Sequence, residues 1–278
     1  MSAKTAVIAE KKKEHRKNFI EIFDKISYSH GKYNVWRDFI YMCAAALSQP
    51  LDFKQDREDE YLRIIKSYNK ETQELFAEMF SELTLIYEEE GFGDILGETY
   101  ASAGMTNDKN GQFFTPYHIC KFMAGLQGDA EGLTAEIERK GYISVSDPCS
   151  GAGAMLIAFA DHCMECGINY QQSVLFVAQD IDHIAALMCY VQMALLGMPG
   201  YVIIGNSLIP SDQYDVWYTP MYFLQGFNYR TQRNVIPVEE SIADSIVHQE
   251  EPQVMIIPEI SMDVILRETD NGQFEFDF

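Results

Sequence analysis

Residues 142–158, Tyr-Ile-Ser-Val-Ser-Asp-Pro-Cys-Ser-Gly-Ala-Gly-Ala-Met-Leu-Ile-Ala, constrain the fold more than any other stretch. Ile143 and Val145 alternate with small polar residues and stop at Asp147-Pro148, the signature of a short strand. Ala154 to Ala160 is an apolar run of the kind that forms a helix buried beside a parallel sheet. Between them, Ser150-Gly151-Ala152-Gly153 lets the backbone turn sharply. Without β-carbons, the turn leaves main-chain N–H groups open at the positive end of the following helix. Strand, glycine turn and helix predict an α/β chain with a nucleotide-like ligand on the turn.

Two further segments extend the pattern. Ser173 to Ala178 is a β-rich apolar run ending at Gln179-Asp180-Ile181-Asp182, and Tyr201 to Ile204 is another ending at Gly205-Asn206-Ser207-Leu208. An acid at the end of a second strand is placed to accept hydrogen bonds from ribose hydroxyls, a role that falls to Asp180. Asp180 or Asp182 is also the natural N-cap of a helix over Ile184 to Leu196. Ligands of open α/β sheets gather outside the carboxyl ends of the strands, where all three polar endings would meet.

Ahead of this region the periodicity is helical. Phe19, Ile20, Ile22, Phe23 and Ile26 form one stripe, and Val35 to Leu47, Glu58 to Tyr68, Glu71 to Tyr87 and Phe92 to Tyr100 read as further helices. Thr115-Pro116 is a helix start, with Thr115 as N-cap and Pro116 at the first helical position. The chain thus divides into a helical domain at 1–105, a ligand-binding α/β domain at 106–230 and an acidic segment at 231–278. In that last segment Val254 to Ile257 reads as a strand, and the alternation of the tail from Phe274 to Phe278 as an edge strand or a docking segment.

Charge narrows the partners. The net charge is −21, and from Gly141 onward only Arg230, Arg233 and Arg267 stand against 18 acidic residues. Gripping nucleic-acid phosphates takes clustered Lys and Arg, which that half lacks. The basic run Lys11 to Lys17 is a solvated helix face or a contact for a nucleic acid or an acidic partner. No apolar run is long enough for a membrane helix and no secretory h-region opens the chain, so a cytoplasmic location is expected. Cys163 and Cys166 follow His162 as a lone C-x-x-C with no second pair, so no metal site is expected.

Four motifs occur in order: Gly111-Gln112-Phe113-Phe114-Thr115-Pro116, Asp147-Pro148-Cys149-Ser150-Gly151-Ala152-Gly153, Gln179-Asp180-Ile181-Asp182 and Gly205-Asn206-Ser207-Leu208. Together, over about 92–208, they resemble adenine-N6 DNA methyltransferases of the kind that form the modification subunit of type I restriction systems. The resemblance implies a Rossmann-like S-adenosylmethionine-dependent sheet behind a helical domain, here with too few residues after Arg230 for the family's complete sheet. It implies S-adenosylmethionine as cofactor, with Phe114 and Thr115 near its methionine carboxylate, Asp147, Ser150, Gly151 and Gly153 around its amino-acid part, Asp180 on the ribose and Asn206 near the adenine.

The family's catalytic tetrapeptide, Asn or Asp followed by Pro-Pro and an aromatic, accepts hydrogen bonds from the target amine and stacks on the flipped base. Its counterpart here is Thr219-Pro220-Met221-Tyr222, so Thr219, Pro220 and Tyr222 are the expected catalytic residues, with Thr in place of the amide. Two functions are open. One is adenine-N6 methylation of DNA with recognition lent by a partner subunit. The other is a catalytically inactive methyltransferase-fold subunit with a binding, regulatory or structural role. A protein partner or a homo-oligomer fits either. A nicotinamide enzyme would also use Gly151-x-Gly153 with Asp180, but Leu156 occupies the third glycine position of that fingerprint.

Overall fold

The computed structural model describes residues 3–106, 115–209, 213–233, 265–268 and 274–277. The helical part comprises α1 (Ala3–His30), α2 (Lys32–Ser48), α3 (Gln55–Lys66), α4 (Lys70–Glu90) and α5 (Ile95–Ser102). Then come α6 (Tyr117–Ala124), α7 (Ala130–Lys140), β1 (Ile143–Asp147), α8 (Ala154–Glu165), α9 (Tyr170–Ser173), β2 (Val174–Asp180), α10 (His183–Leu195), β3 (Gly200–Gly205), β4 (Gln213–Tyr218), α11 (Pro220–Leu224) and α12 (Phe227–Arg233). The chain forms two compact units, Met1–Phe227 and Asn228–Phe278. The second contains β5 (Ile265–Glu268) paired antiparallel with β6 (Phe274–Asp277), Ile265 opposite Asp277. The tail strand expected from Phe274 is therefore present, while Val254 to Ile257 lies outside the described residues.

Local chemistry sets the helix ends. Asn69 caps α4 by accepting from Thr72 N at 2.9 Å, and Gly91 ends it at φ 73°. Asp182 caps α10, its Oδ1 accepting from both Ile184 N and Ala185 N at 2.9 Å, so the cap is Asp182 and Asp180 is left for other contacts. Helix α6 starts one residue later than the sequence implies: Pro116 is its N-cap, and Ile119 N bonds to the Pro116 carbonyl at 2.9 Å. With proline at the N-cap, the helix start has no side-chain cap bond.

The first unit has one core. Phe19, Phe23, Trp36 and Phe39 stack edge to face on the helical side, and Trp36 Nε1 reaches Met188 Sδ of α10 at 3.3 Å. The helical residues and the sheet thus share buried surface within Met1–Phe227, on both sides of the expected 105/106 division.

The sheet runs β1-β2-β3-β4. The first three strands are parallel, with Ile143 opposite Val174 and Phe176 opposite Gly200. The first five residues of β2, Val174 to Ala178, are buried, as suits a strand covered on both faces. Gly200 is required by that pairing, since a β-carbon there would meet the Phe176 carbonyl oxygen at 2.0 Å. The last strand, β4, runs antiparallel beside β3, with Tyr201 opposite Tyr218 and Ile204 opposite Asp215. Its outer side is tied to α3: the buried Arg57 bonds Asp215 at 3.0 Å and the Val216 carbonyl at 2.7 Å, and its guanidinium lies 3.6 Å from the Trp217 ring centroid.

Candidate functional site

The carboxyl ends of β1, β2 and β3 carry the candidate site. Beyond β1, Ser150 N bonds the Gln179 carbonyl at 2.9 Å and Gly153 N bonds the Ser150 carbonyl at 2.8 Å, closing a tight turn against the end of β2. Gly151 (φ 53°) and Gly153 (φ 94°) both adopt left-handed backbone, which side chains with a β-carbon rarely do. Gly153 also packs on α10, for a β-carbon there would lie 2.7 Å from Cys189 Sγ. Helix α8 then starts at Gly153 with no side-chain cap, so its N–H end stays open. The Ser150 hydroxyl is enclosed beside the Cys189 thiol.

Asp180 bridges the turn and the next loop. Its Oδ2 accepts from Gly151 N and its Oδ1 from Asp182 N, both at 2.8 Å. Asp147 accepts from Cys149 N at 3.1 Å. Burial raises the pKa of both carboxyls above the ordinary range, and the charge of Asp180 adds to the rise at Asp147 as that of Asp182 does at Asp180. Their backbone hydrogen bonds oppose the shift without cancelling it. Two crowded, half-buried carboxylates therefore favour a ligand that brings hydroxyl donors or a positive charge.

Asn206 follows β3, with Oδ1 accepting from Leu208 N at 3.0 Å. One lone pair of that oxygen and both amide hydrogens remain for a ligand. Ile181 and Leu208, which stand inside two of the motifs without a role assigned to them there, are 63% and 88% exposed near Asp180 and Asn206. Large apolar side chains that exposed, next to polar strand ends, offer flat faces to a planar ring. Their signal was their place inside the motifs, one residue after Asp180 and two after Asn206.

The structure thus brings Asp147, Ser150, Gly151, Gly153, Asp180 and Asn206 to the carboxyl edge of the parallel strands. Thr115, exposed, immediately precedes α6, which packs on α8; Phe114 lies outside the described residues.

Thr219, Pro220 and Tyr222 stand elsewhere, and here the expectation is corrected. Because β4 runs antiparallel to β3, its end returns to the start of β3. Thr219 N bonds the Gly200 carbonyl at 2.9 Å, its Oγ1 accepts from Gly200 N at 3.0 Å, and that hydroxyl donates to the Met198 carbonyl at 2.8 Å. The residue is fully buried and its hydroxyl is committed to the backbone. Pro220 starts α11, and Tyr222 is buried among Tyr201, Tyr218, Phe223 and Phe227. The length of β3 separates this tetrapeptide from Asn206, about 20 Å at the usual strand rise.

A pocket of ≈ 280 Å³ lies between α2, α3 and α10, lined by Arg37, Tyr41, Glu60 and His183 among others; none of the glycine-turn residues borders it. Burial lowers the His183 pKa, against the pull of Asp215 and Asp182. His162 spends Nε2 on the Gly128 carbonyl at 2.8 Å, and Cys163 is buried. No group of three or more His, Cys, Asp or Glu among the described residues is placed to hold a metal. Nor is any described helix long and apolar enough to cross a membrane.

The fold is a mixed α/β protein with a helical N-terminal region and a candidate site at the carboxyl ends of its parallel strands. Residues 88–217, just under half of the chain, match the family model of N-6 DNA methylases. The match opens near the end of α4 and closes on Trp217, two residues short of Thr219. It supports an adenine-N6 DNA methyltransferase-like function, a family whose members generally use S-adenosylmethionine. No curated protein and no solved structure matches the chain.

Proposed function

We propose that this chain is the cofactor-holding part of an adenine-N6 DNA methylation system, with a Rossmann-like sheet that binds S-adenosylmethionine at residues 106–230 behind a helical domain at 1–105. The observation that carries the reading is the Asp147–Asp180 pair around an uncapped helix start. The carboxylates suit the cofactor's ammonium and ribose hydroxyls, and the open N–H groups of α8 suit its carboxylate. In this reading Asp180 holds the ribose, Asp147, Ser150, Gly151 and Gly153 surround the amino-acid part, and Thr115 and Phe114 lie near the carboxylate. Ile181 and Leu208 flank the adenine and Asn206 hydrogen-bonds it. When bound, the cofactor supplies a methyl group activated on a sulfonium; the chain's own residues bind and orient it.

The groups that receive the target adenine are not Thr219, Pro220 and Tyr222, whose placement at the amino edge gives them a packing role. Base handling and phosphate contacts then come from a partner subunit, in keeping with the sparse basic residues after Gly141. The same placement also favours a second reading, a methyltransferase-fold subunit that binds the cofactor and regulates or supports another protein without transferring methyl groups.

Incubating the chain with unmethylated duplex DNA and methyl-labelled cofactor, alone and with its co-encoded subunits, separates the two. Label on adenine N6 in the reconstituted mixture supports the first reading; cofactor binding with no transfer in any mixture supports the second. Saturable binding of NAD instead of S-adenosylmethionine would sink both.

A further inference from the structure

One polar side chain in the first unit is wholly enclosed, belongs to no motif and touches the glycine turn. Gln192 stands on the otherwise apolar helix α10 at 0% exposure. Its Nε2 donates to the Ala152 carbonyl, in the middle of the turn, at 2.6 Å and to Asp94 Oδ1 at 2.9 Å. Its Oε1 accepts from Leu96 N at 3.0 Å and from the Tyr87 hydroxyl. Asp94, 2% exposed, is itself the N-cap of α5, its Oδ1 also accepting from Gly97 N at 3.0 Å. Both hydrogens of the amide and both lone pairs of its oxygen are therefore used.

The partners come from three places: α4 (Tyr87), the start of α5 (Asp94 and Leu96) and the turn (Ala152). A buried amide this fully bonded costs little to enclose, but losing it would strand several buried groups at once. Its geometry also has a direction. The Ala152 carbonyl is held toward the protein interior, which fixes the peptide plane it shares with Gly153 N, itself bonded to the Ser150 carbonyl, and so the backbone that leads into the first turn of α8. The N–H groups of that first turn have no side-chain cap and stand at the candidate site.

We infer that Gln192 is a positioning residue through which helices α4 and α5 set the conformation of the cofactor-binding turn. The inference rests on the cofactor reading above for its consequence, though not for its geometry. The helical region thus acts on the turn through one amide, by way of Tyr87, Asp94 and Leu96.

Gln192→Met keeps a similar volume and removes all four bonds, Tyr87→Phe removes one bond at the far end, and Ile26→Ala weakens the same core from α1. Amide resonances and hydrogen exchange of Gly151, Ala152 and Gly153 are read without ligand, and S-adenosylmethionine affinity by titration. Gln192→Met is expected to move the turn resonances, speed their exchange and weaken cofactor binding on the order of tenfold. Tyr87→Phe should shift the same amides in the same direction by less, and Ile26→Ala should leave them and the affinity unchanged although it lowers stability. If Gln192→Met fails to fold, Tyr87→Phe decides alone. Turn amides unmoved in the folded variants overturn the inference. Turn amides that move in a protein that never binds S-adenosylmethionine uphold the positioning role and refute the cofactor reading instead.

Discussion

Gly153→Ala tests the seat of the turn with a magnitude that can be worked out. Two costs arise together. At φ 94° a β-carbon is strained by its own backbone, about 1–2 kcal/mol. It would also stand 2.7 Å from Cys189 Sγ and 3.5 Å from Cys189 Cα, and relieving such an overlap in a packed core costs roughly 1–3 kcal/mol. The sum, about 2–5 kcal/mol, would lower the melting temperature by on the order of 10 °C in a chain of this size. Cys189→Ala removes the sulfur but leaves the backbone strain, so the double variant should recover only the overlap part. A double-mutant cycle in urea is expected to give a coupling of about 1–3 kcal/mol between the two sites. Additive effects, with coupling below about 0.5 kcal/mol, would mean that the turn does not rest on α10 as described.

Asp147→Asn should stabilise the ligand-free protein at neutral pH while weakening cofactor binding. The carboxyl of Asp147 has a folded pKa above its ordinary 3.8. Its favourable contribution is therefore complete below 3.8 and lost as pH rises through the folded value. Asparagine keeps the acceptor for Cys149 N without the charge, so its advantage should be absent in acid and reach ~0.5–1 kcal/mol, about 2 °C, at neutral pH by calorimetry. Thr219→Val should cost ~1–3 kcal/mol, because Gly200 N and the Met198 carbonyl lose their partner in a buried site. Cofactor affinity of the folded Thr219→Val protein should match the parent. A large loss of affinity at unchanged stability would place Thr219 in the site after all.

How much of this could be read in the residues depends on where long-range pairing enters. The turn between β1 and α8, the acid after β2 and the cap at Asp182 were legible because each is decided within a few residues: alternation stops, glycines follow, and an apolar helix begins. Helix α7 was passed over, since none of its residues is buried and only the Asp129 cap and the Gly141 end marked it. The direction of β4 was not legible. Nothing local in the aromatic-rich stretch from Tyr214 to Phe223 says that it forms a strand or that Trp217 pairs with Val202 in an antiparallel sense. That one choice moves Thr219 from the carboxyl edge to the amino edge and removes the tetrapeptide from the site. Gln192 was equally hidden, a single amide in an apolar helix, whose partners Tyr87 and Asp94 lie about a hundred residues earlier.

The proposed function requires a cofactor site at the carboxyl edge of β1 and β2, held by Asp147, Asp180 and the glycine turn. Isothermal titration of the purified chain with S-adenosylmethionine, beside Asp180→Ala, reads that site without any partner. Saturable binding at one site per chain is expected in the parent, with its loss in a variant that remains folded. No saturable heat from the parent, or equal affinity in Asp180→Ala, would contradict it.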